Sequence, residues 1–329
     1  MKSTPTQADI AREAGVSRGL VSLALSGSST VAEGTRQRII EIAERLGYTR
    51  NLGAAMLAAR TSPIVGIVLP NLMHPFFESV VTSIQKAADK RGMMALSAIR
   101  GDQPDNESCA LDYFHGLRVG GVILVAPTLS EEQLLEYSSK IAICVVAGDF
   151  AGGATDAVYI DEDVAASLVL EHLEETGYEK VVFFTRETTA ADELVNRRTK
   201  AFRDACTEKG IEPDVRIVDE VESSVKKLID EDGPGTAIVC YNDPLAMDIV
   251  IAIRTLGFKP GVDIGVVGYD NTFYAAKPEY DITSIDPKPD EMAELAIDDV
   301  RSRSKEHDRD GRQHLVTPSL VVRGSTSRE

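Results

Sequence analysis

The sequence predicts a small all-helical head ahead of a large α/β body built on parallel sheets. Three observations carry this. Residues 6–48 have the spacing of a helix-turn-helix followed by a third helix. From Ile64 onward, short apolar runs alternate with amphipathic helices, the pattern of parallel strands covered on both faces. The 329 residues exceed what a single core accommodates, so two or three domains are expected.

In the head, Asp9 to Ala14 has helical periodicity, with Ile10, Ala11 and Ala14 apolar. Gly15 ends that helix and permits a tight turn. Ser17 is a good N-cap for the next helix, Arg18 to Leu25. Val21, Ala24 and Leu25 turn inward there, leaving Arg18, Gly19, Ser22 and Leu23 to face out. A second helix of this kind lies in the DNA major groove. Arg18 at its start suits a two-bond contact with guanine, Gly19 offers no side chain, and Leu23 offers only apolar contact. Thr6, Ser17, Ser22, Ser26 and Thr35 are candidates for phosphate contacts, which set register rather than sequence. The bland alternative is a three-helix bundle with an exposed Arg18.

A formal net charge of −17 looks wrong for a DNA binder. Its distribution resolves this. Lys2 and seven arginines stand against five acidic residues in 1–60, a balance of +3 that leaves −20 on the rest. DNA contact is therefore left to the head and to whatever joins it to the body. That joint, Asn51 to Arg60, is Ala-rich, contains Gly53, and is too short for a stable isolated helix. Alone it reads as a flexible linker, or as a helix that forms only when two copies pack together.

In the body, strands are expected at Ile64–Leu69, Gly121–Val125, Ala142–Val146, Asp156–Ile160, Lys180–Phe184, Ala237–Cys240 and Ile264–Gly268. Helices are expected at Phe77–Arg91, Glu131–Ser139 and Val164–Thr176. Parallel sheets bind ligands beyond the carboxyl ends of their strands. The informative polar residues therefore follow those strands: Asn71, His74, Asp149, Arg186, Tyr241–Asn242–Asp243 and Asp270, with Arg198 near a helix start. Asn242 and Asp243 also suit helix capping. His74, His115 and His172 are scattered and read as structural or surface. Cys109, Cys144, Cys206 and Cys240 form no CxxC pair and read as buried thiols of a reducing compartment. No stretch has the apolar length of a membrane span, and the first residues lack a signal-peptide core, so a cytoplasmic protein is expected.

The A-x-x-A-G-V-S-x-x-x-V-S spacing, with Thr35-Arg-Gln-Arg-Ile and Gly47-Tyr48, resembles the N-terminal domain of the LacI/GalR family of bacterial transcription repressors. The resemblance continues through Pro70-Asn-Leu-Met-His-Pro-Phe-Phe77, Gly120-Gly-Val-Ile-Leu, His172-Leu-Glu-Glu-Thr-Gly177-Tyr, Asn242-Asp243, Val266-Val-Gly-Tyr-Asp270 and Leu320-Val-Val-Arg323. It implies an all-α helix-turn-helix head plus an α/β two-lobed periplasmic-binding-protein-like domain of doubly wound parallel sheets. The implied boundaries are 1–50 for the head and 51–61 for a hinge helix. An N-lobe would comprise 62–160 and 288–315, and a C-lobe 161–287 and 316–329.

By the same match, Asn51 opens the hinge, Ala54 allows close approach of its dimer mate, and Leu57 is an apolar wedge in the minor groove. A small metabolite would bind between the lobes. Arg198 and Asp270 would hold its hydroxyls or ring nitrogens, with further hydrogen bonds from Asp149 and Asn242. Asn71 joins that set, and Phe76 or Phe77 would form an apolar wall, the other being core. The chain departs from the family at Ala32, an N-cap usually Ser, with Thr30 the one candidate substitute. Other departures are Leu23, often a polar base reader; Arg50, usually Pro; and Pro287, often Gln.

The expected function is a DNA-binding regulator, a repressor in the family's usual mode. It would act as a homodimer on a pseudo-palindromic operator, with no membrane role and no cofactor. A sugar or sugar derivative is the first choice of effector, a purine or nucleoside the second. A dimer is expected over a tetramer because no Leu heptad follows Arg323. A two-lobed binding protein without a DNA role has no use for residues 1–60. An enzyme is disfavoured because G-x-G-x-x-G, G-K-[ST], G-x-S-x-G and H-E-x-x-H motifs are missing.

Overall fold

The computed structural model describes residues 5–25, 27–49, 62–101, 105–148, 155–188, 193–306 and 309–328. Ser26, Arg50, Asn51, Ala54, Leu57 and Asp149, all singled out from the sequence, lie outside the described residues. The chain divides into two compact units, residues 1–60 and 61–329.

The first unit holds α1 (Gln7–Ala14), α2 (Arg18–Leu25) and α3 (Glu33–Leu46). Thr6 and Asp9 cap α1 reciprocally, which starts it two residues earlier than its apolar periodicity suggests. Gly15 takes φ 65°, the left-handed turn that ends α1. Arg38 of α3 donates to the Ala14 carbonyl at 2.5 Å, satisfying one orphan acceptor at that end. Ile10, Ala14, Val21, Ala24, Val31, Ile39 and Ile42 form the core. Ala32 sits at the N-cap of α3 with no side-chain bond, and the Thr30 hydroxyl pairs with Ser28 instead, so Thr30 does not substitute.

Among the described residues, the second unit contains two six-stranded sheets. The first comprises β1 (Ile64–Leu69), β2 (Met94–Ile99), β3 (Gly121–Val125), β4 (Ile143–Val146), β5 (Asp156–Ile160) and β11 (Gln313–Val316). Its order is β11-β5-β4-β3-β1-β2, with every pairing parallel. The second comprises β6 (Lys180–Thr185), β7 (Asp214–Ile217), β8 (Thr236–Cys240), β9 (Gly265–Tyr269), β10 (Thr283–Asp286) and β12 (Ser319–Val321). Its order is β12-β10-β9-β8-β6-β7, and only β12 is antiparallel, with Leu320 opposite Ile285. Helices α4 (Pro75–Asp89), α5 (Asn106–Gly116), α6 (Glu131–Ser138) and α11 (Pro289–Arg303) belong with the first sheet. Helices α7 (Glu162–Glu175), α8 (Glu193–Glu208), α9 (Val221–Asp232) and α10 (Asp243–Thr255) belong with the second.

The chain passes between the sheets three times, after Ile160, after Asp286 and after Val316. The last strand of the first sheet runs through Val316, which pairs with Ile160. Residues after the second crossing are held to the first sheet by charge as well as packing. Asp156, fully buried, accepts from Arg303 Nε at 2.8 Å, from Arg309 Nη2 at 2.6 Å and from the Arg312 N–H at 2.8 Å. Burial works against the Asp156 charge, but these arginines outweigh it and hold its carboxyl below the usual range. On the other side of α11, Arg91 grips Asp298 with two bonds of 2.7 Å, and Met292, Ala293, Ala296, Ile297 and Val300 fill the interior.

The cysteines correct one expectation. Cys144, Cys206 and Cys240 are buried, but Cys109 is exposed, on the face of α5 opposite Ala110, Leu111 and Phe114. Among the described residues no helix is long and apolar enough to cross a membrane.

Candidate functional site

In the head, Arg18, Gly19, Ser22 and Leu23 are all exposed on one side of α2, while Val21 and Ala24 anchor the other. Ser17 Oγ accepts the Leu20 N–H at 3.2 Å, which leaves its own proton for a phosphate oxygen. The Thr6 hydroxyl is more committed, donating to Asp9 Oδ2 at 2.7 Å. Thr35 is half-buried in the first turn of α3. The arrangement presents an Arg-led helix face rimmed by hydroxyls, the form of a major-groove reader.

In the body, strand ends from both sheets open onto one cleft of about 450 Å³. The first sheet contributes Asn71 and His74 after β1, Arg100 after β2, Ala126–Thr128 after β3, and Ala147–Gly148 after β4. The second contributes Arg186 after β6, Tyr241–Asn242 after β8 and Asp270 after β9, while α8 adds Glu193–Val195 and Arg198. Of the residues expected at an effector site, Asn71, Phe76, Phe77, Arg198, Asn242 and Asp270 all line it. Several strand exits are tight. Ala126, Ala147 and Asp270, none of them glycine, take φ of 46°, 58° and 100°. Such backbone persists where its surroundings over-determine it, and it concentrates at ligand sites.

Arg198 organises the floor. It is buried, donates to the Tyr241 carbonyl at 2.7 Å and to Asp270 Oδ1 at 2.9 Å, and stacks 3.5 Å from the Tyr269 ring centre. Glu162 stands behind it, with Oε1 3.7 Å from Arg198 Nε and Oε2 accepting from the Tyr269 hydroxyl at 2.5 Å. Burial pushes the Asp270 carboxyl up to about 6, with Arg198 pulling the other way. Burial likewise raises Glu162.

Of the two helix-capping candidates, Asn242 caps and Asp243 does not. Asn242 caps α10 through Oδ1, which accepts the Leu245 N–H at 2.9 Å, yet its side chain still lines the cleft. Asp243 faces away from the cleft and is fully buried, accepting from Ser284 Oγ at 2.6 Å and from the Thr272 N–H at 2.7 Å. Gly268 is required beside it, because a Cβ there would sit 2.2 Å from Asp243 Oδ1. Phe76 is buried in the core with an edge at the cleft, and Phe77 is half-buried against it. Pro287 lies in a narrow pocket beneath the cleft with Tyr159, Glu162 and Arg198, and Lys288 beyond it takes φ 59°.

Sequence reasoning missed Glu162 and Arg100, and it placed His74 after a strand but read it as structural or surface. His74 caps α4 and lines the cleft together; the following Pro75, at the first position of α4, was the available signal. Glu162 begins α7 just past β5 and could be found as a polar residue following a strand. Arg100 follows an edge strand that the apolar pattern did not reveal.

A helix-turn-helix head joined to an α/β body with a polar cleft between two parallel sheets is the architecture of a DNA-binding transcriptional regulator. The match to bacterial regulatory proteins of the lacI family covers residues 6–51, and a match to a periplasmic binding protein-like domain covers 170–326. The HTH-type transcriptional regulator DegA of Bacillus subtilis (strain 168) is 28% identical, over 97% of this chain and 97% of its own. A structure of the lac repressor dimer bound to operator and the anti-inducer ONPF matches with a TM-score of 0.83 at 21% identity, covering 99% of this chain and 100% of that one. A transcriptional regulator CelR–cellobiose complex matches with a TM-score of 0.68 at 22% identity, covering 98% and 99%. The chain thus carries a lacI-family helix-turn-helix domain and a periplasmic-binding-protein-like domain, and its relatives are LacI/GalR-type transcriptional regulators.

The buried Asp243 gives the body a pH signature. Burial first, then the Asp270 charge, push its carboxyl up to about 7 from an ordinary value of 3.8. Between those values the folded state keeps a proton that the unfolded chain has released, so stability falls as pH rises from ~4 to ~7. Asp243→Asn keeps an acceptor for Thr272 and removes the titration. Denaturant unfolding should show a shallower decline across this window in the variant; equal slopes would refute the assignment.

Proposed function

We propose that this regulator is a homodimer that binds a pseudo-palindromic operator in the bacterial cytoplasm as a repressor. Its operator affinity is set by a small polar metabolite, a sugar or sugar derivative, held in the cleft by Asn71, Phe76, Phe77, Arg198, Asn242 and Asp270. Asp149 joins this set on the sequence reading. The observation that carries the proposal is the buried Arg198–Asp270 pair at the convergence of strand ends from both sheets. A buried guanidinium and carboxylate aimed at a cleft reject ligands that leave them unpaired and favour rings rich in hydroxyls. The CelR relative in complex with cellobiose supports the sugar class, and the lac repressor dimer on its operator supports the dimer. The relatives are regulators, and we read this chain in the same way rather than as an enzyme.

The working division is a head of residues 1–50, a hinge of 51–61, and two lobes. The N-lobe spans 62–160 and 288–315, and the C-lobe 161–287 and 316–329. In the head, Arg18 and Leu23 would meet base edges, with Gly19 offering no side chain between them. Thr6, Ser17, Ser22, Ser26 and Thr35 would meet phosphates. Asn51, Ala54 and Leu57 would carry the hinge into the minor groove. Lobe closure about the three crossings is the hinge-type motion that would reach the hinge and head.

Arg18→Ala should relax base preference at one operator position by about 1–3 kcal/mol while binding to random DNA changes little. Selection from a random oligonucleotide pool tests this, and an unchanged consensus would remove Arg18 from base reading. For the cleft, thermal melting of the full-length protein against sugars, sugar phosphates, nucleosides and purines should give a hit. Ligand at ~100 times its Kd adds about 2.7 kcal/mol of stability. Asp270→Ala should lose that stabilisation and keep operator affinity; a variant stabilised as well as the parent would take Asp270 out of the site.

A further inference from the structure

One cation on the cleft wall has no counter-charge among the described residues. Arg100 stands at the exit of β2, half-buried, and lines the cleft. Its guanidinium makes a single hydrogen bond to the described residues, from Nη1 to the Gly101 carbonyl at 3.2 Å, and its Nε is buried without an acceptor. Arg198, the deeper cation, is by contrast matched by Asp270 and Glu162. Glu107 of α5 is buried and committed to Thr128, accepting its N–H and its hydroxyl at 2.9 Å each, and it forms no ion pair with Arg100. Partly burying a guanidinium is unfavourable unless an acceptor meets it.

The position of Arg100 is fixed. Its N–H donates to the Leu69 carbonyl and the Gly101 N–H to the Pro70 carbonyl, both at 3.0 Å, which ties the exits of β1 and β2 together. Asn106 Nδ2 donates to the Arg100 carbonyl at 2.6 Å. The residue after Pro70 is Asn71, whose Oδ1 accepts the N–H groups of Met73 at 2.9 Å and His74 at 3.1 Å. Two backbone donors settle which end of that amide is oxygen. Asn71 Nδ2 is left as a donor on a residue that lines the cleft, without an acceptor among the described residues. A guanidinium and an amide N–H therefore stand on neighbouring strand exits of the first lobe. The acids that line the cleft, Glu193 and Asp270, come from the second.

We propose that Arg100 and Asn71 form a subsite for an oxyanion group of the effector, a phosphate or carboxylate carried on its polar ring. This inference rests on the reading that the cleft takes a small polar metabolite, and it narrows that class from neutral sugars to sugar phosphates and sugar acids. The oxyanion accepts charge-assisted hydrogen bonds from the Arg100 guanidinium and a further bond from Asn71 Nδ2. A neutral ligand leaves the Arg100 charge unmet. The division of charge across the cleft also sets the ligand's direction, because the anionic end avoids Glu193 and Asp270 and turns to the first lobe. Both donors are held by backbone bonds before ligand arrives, so little freedom is lost when they engage.

Asn71→Asp keeps the acceptor for Met73 and His74, and so keeps the turn, but replaces the NH2 group by a charged oxygen. Arg100→Met keeps an apolar stem and removes the charge. Full-length wild type and both variants are melted with D-glucose, glucose-6-phosphate and D-gluconate, with D-ribose and ribose-5-phosphate, with adenosine and its monophosphate, and with inorganic phosphate alone. The most stabilising compound and its neutral counterpart are then titrated by calorimetry. The expected result is an anionic hit bound about tenfold or more tightly than its neutral counterpart, an advantage that added salt narrows and that both variants lose. Affinity for the neutral counterpart should change little in Arg100→Met. Comparison of glucose-6-phosphate with gluconate tells which oxyanion the subsite takes.

A neutral compound that binds as tightly as its anionic counterpart overturns this inference and leaves the cleft reading standing. So does an anionic hit held by either variant as tightly as by wild type. A panel in which nothing stabilises wild type overturns the cleft reading and this inference with it.

Discussion

The burial of one guanidinium constrains the ligand-facing half of this molecule. Arg198 reaches from α8 to the carbonyl that ends β8, the carboxylate that ends β9, and the ring of Tyr269, with Glu162 of α7 behind it. Taking that charge out of water is expensive, and the pairing is worthwhile only with good geometry and further hydrogen bonds. Two strand exits and two helices are therefore fixed relative to one another before any ligand arrives. A site so pre-ordered loses little freedom on binding, the general route to affinity with selectivity.

The remainder of the body serves to place those strand exits. Parallel strands all end on the same side of their sheet, so two such sheets, each with helices on its faces, present two rows of carboxyl ends. Non-glycine residues at positive φ turn the chain sharply at Ala126, Ala147 and Asp270, where side chains must enter the cleft rather than continue the sheet. The three crossings are the places about which the proposed lobe closure would turn. The cluster around Asp156 and the Arg91–Asp298 clamp hold α11 to the first sheet.

Legibility in the sequence followed burial. The central strands Ile64–Leu69 and Gly121–Val125, and Val181 to Phe184 within Lys180–Thr185, are continuous apolar runs in the covered interior. The edge strands Met94–Ile99, Asp214–Ile217 and Gln313–Val316 mix polar with apolar residues because much of their surface meets water, and apolar runs could not find them. The cleft was legible where a polar residue directly follows a buried strand, as at Asn242 and Asp270. His74 also follows a strand, but its contact with an amide more than 160 residues away could not be read from the sequence. In the head, the inward and outward positions of α2 followed directly from spacing, since eight residues packed against two neighbours leave one register. Asp243 looked like an ordinary helix-start acid, and only the fold reveals it as a buried acceptor holding the Thr272 turn to β10.

The central claim is that occupancy of the cleft and grip on DNA are thermodynamically coupled. The direct measurement is the operator affinity of the full-length protein, by fluorescence anisotropy at fixed salt, with and without the compound that raises its melting temperature. Allosteric coupling of about 1–3 kcal/mol predicts a change of roughly 5–150-fold in either direction. The same affinity with and without a saturating ligand would contradict the account, because a ligand that binds both states equally shifts nothing.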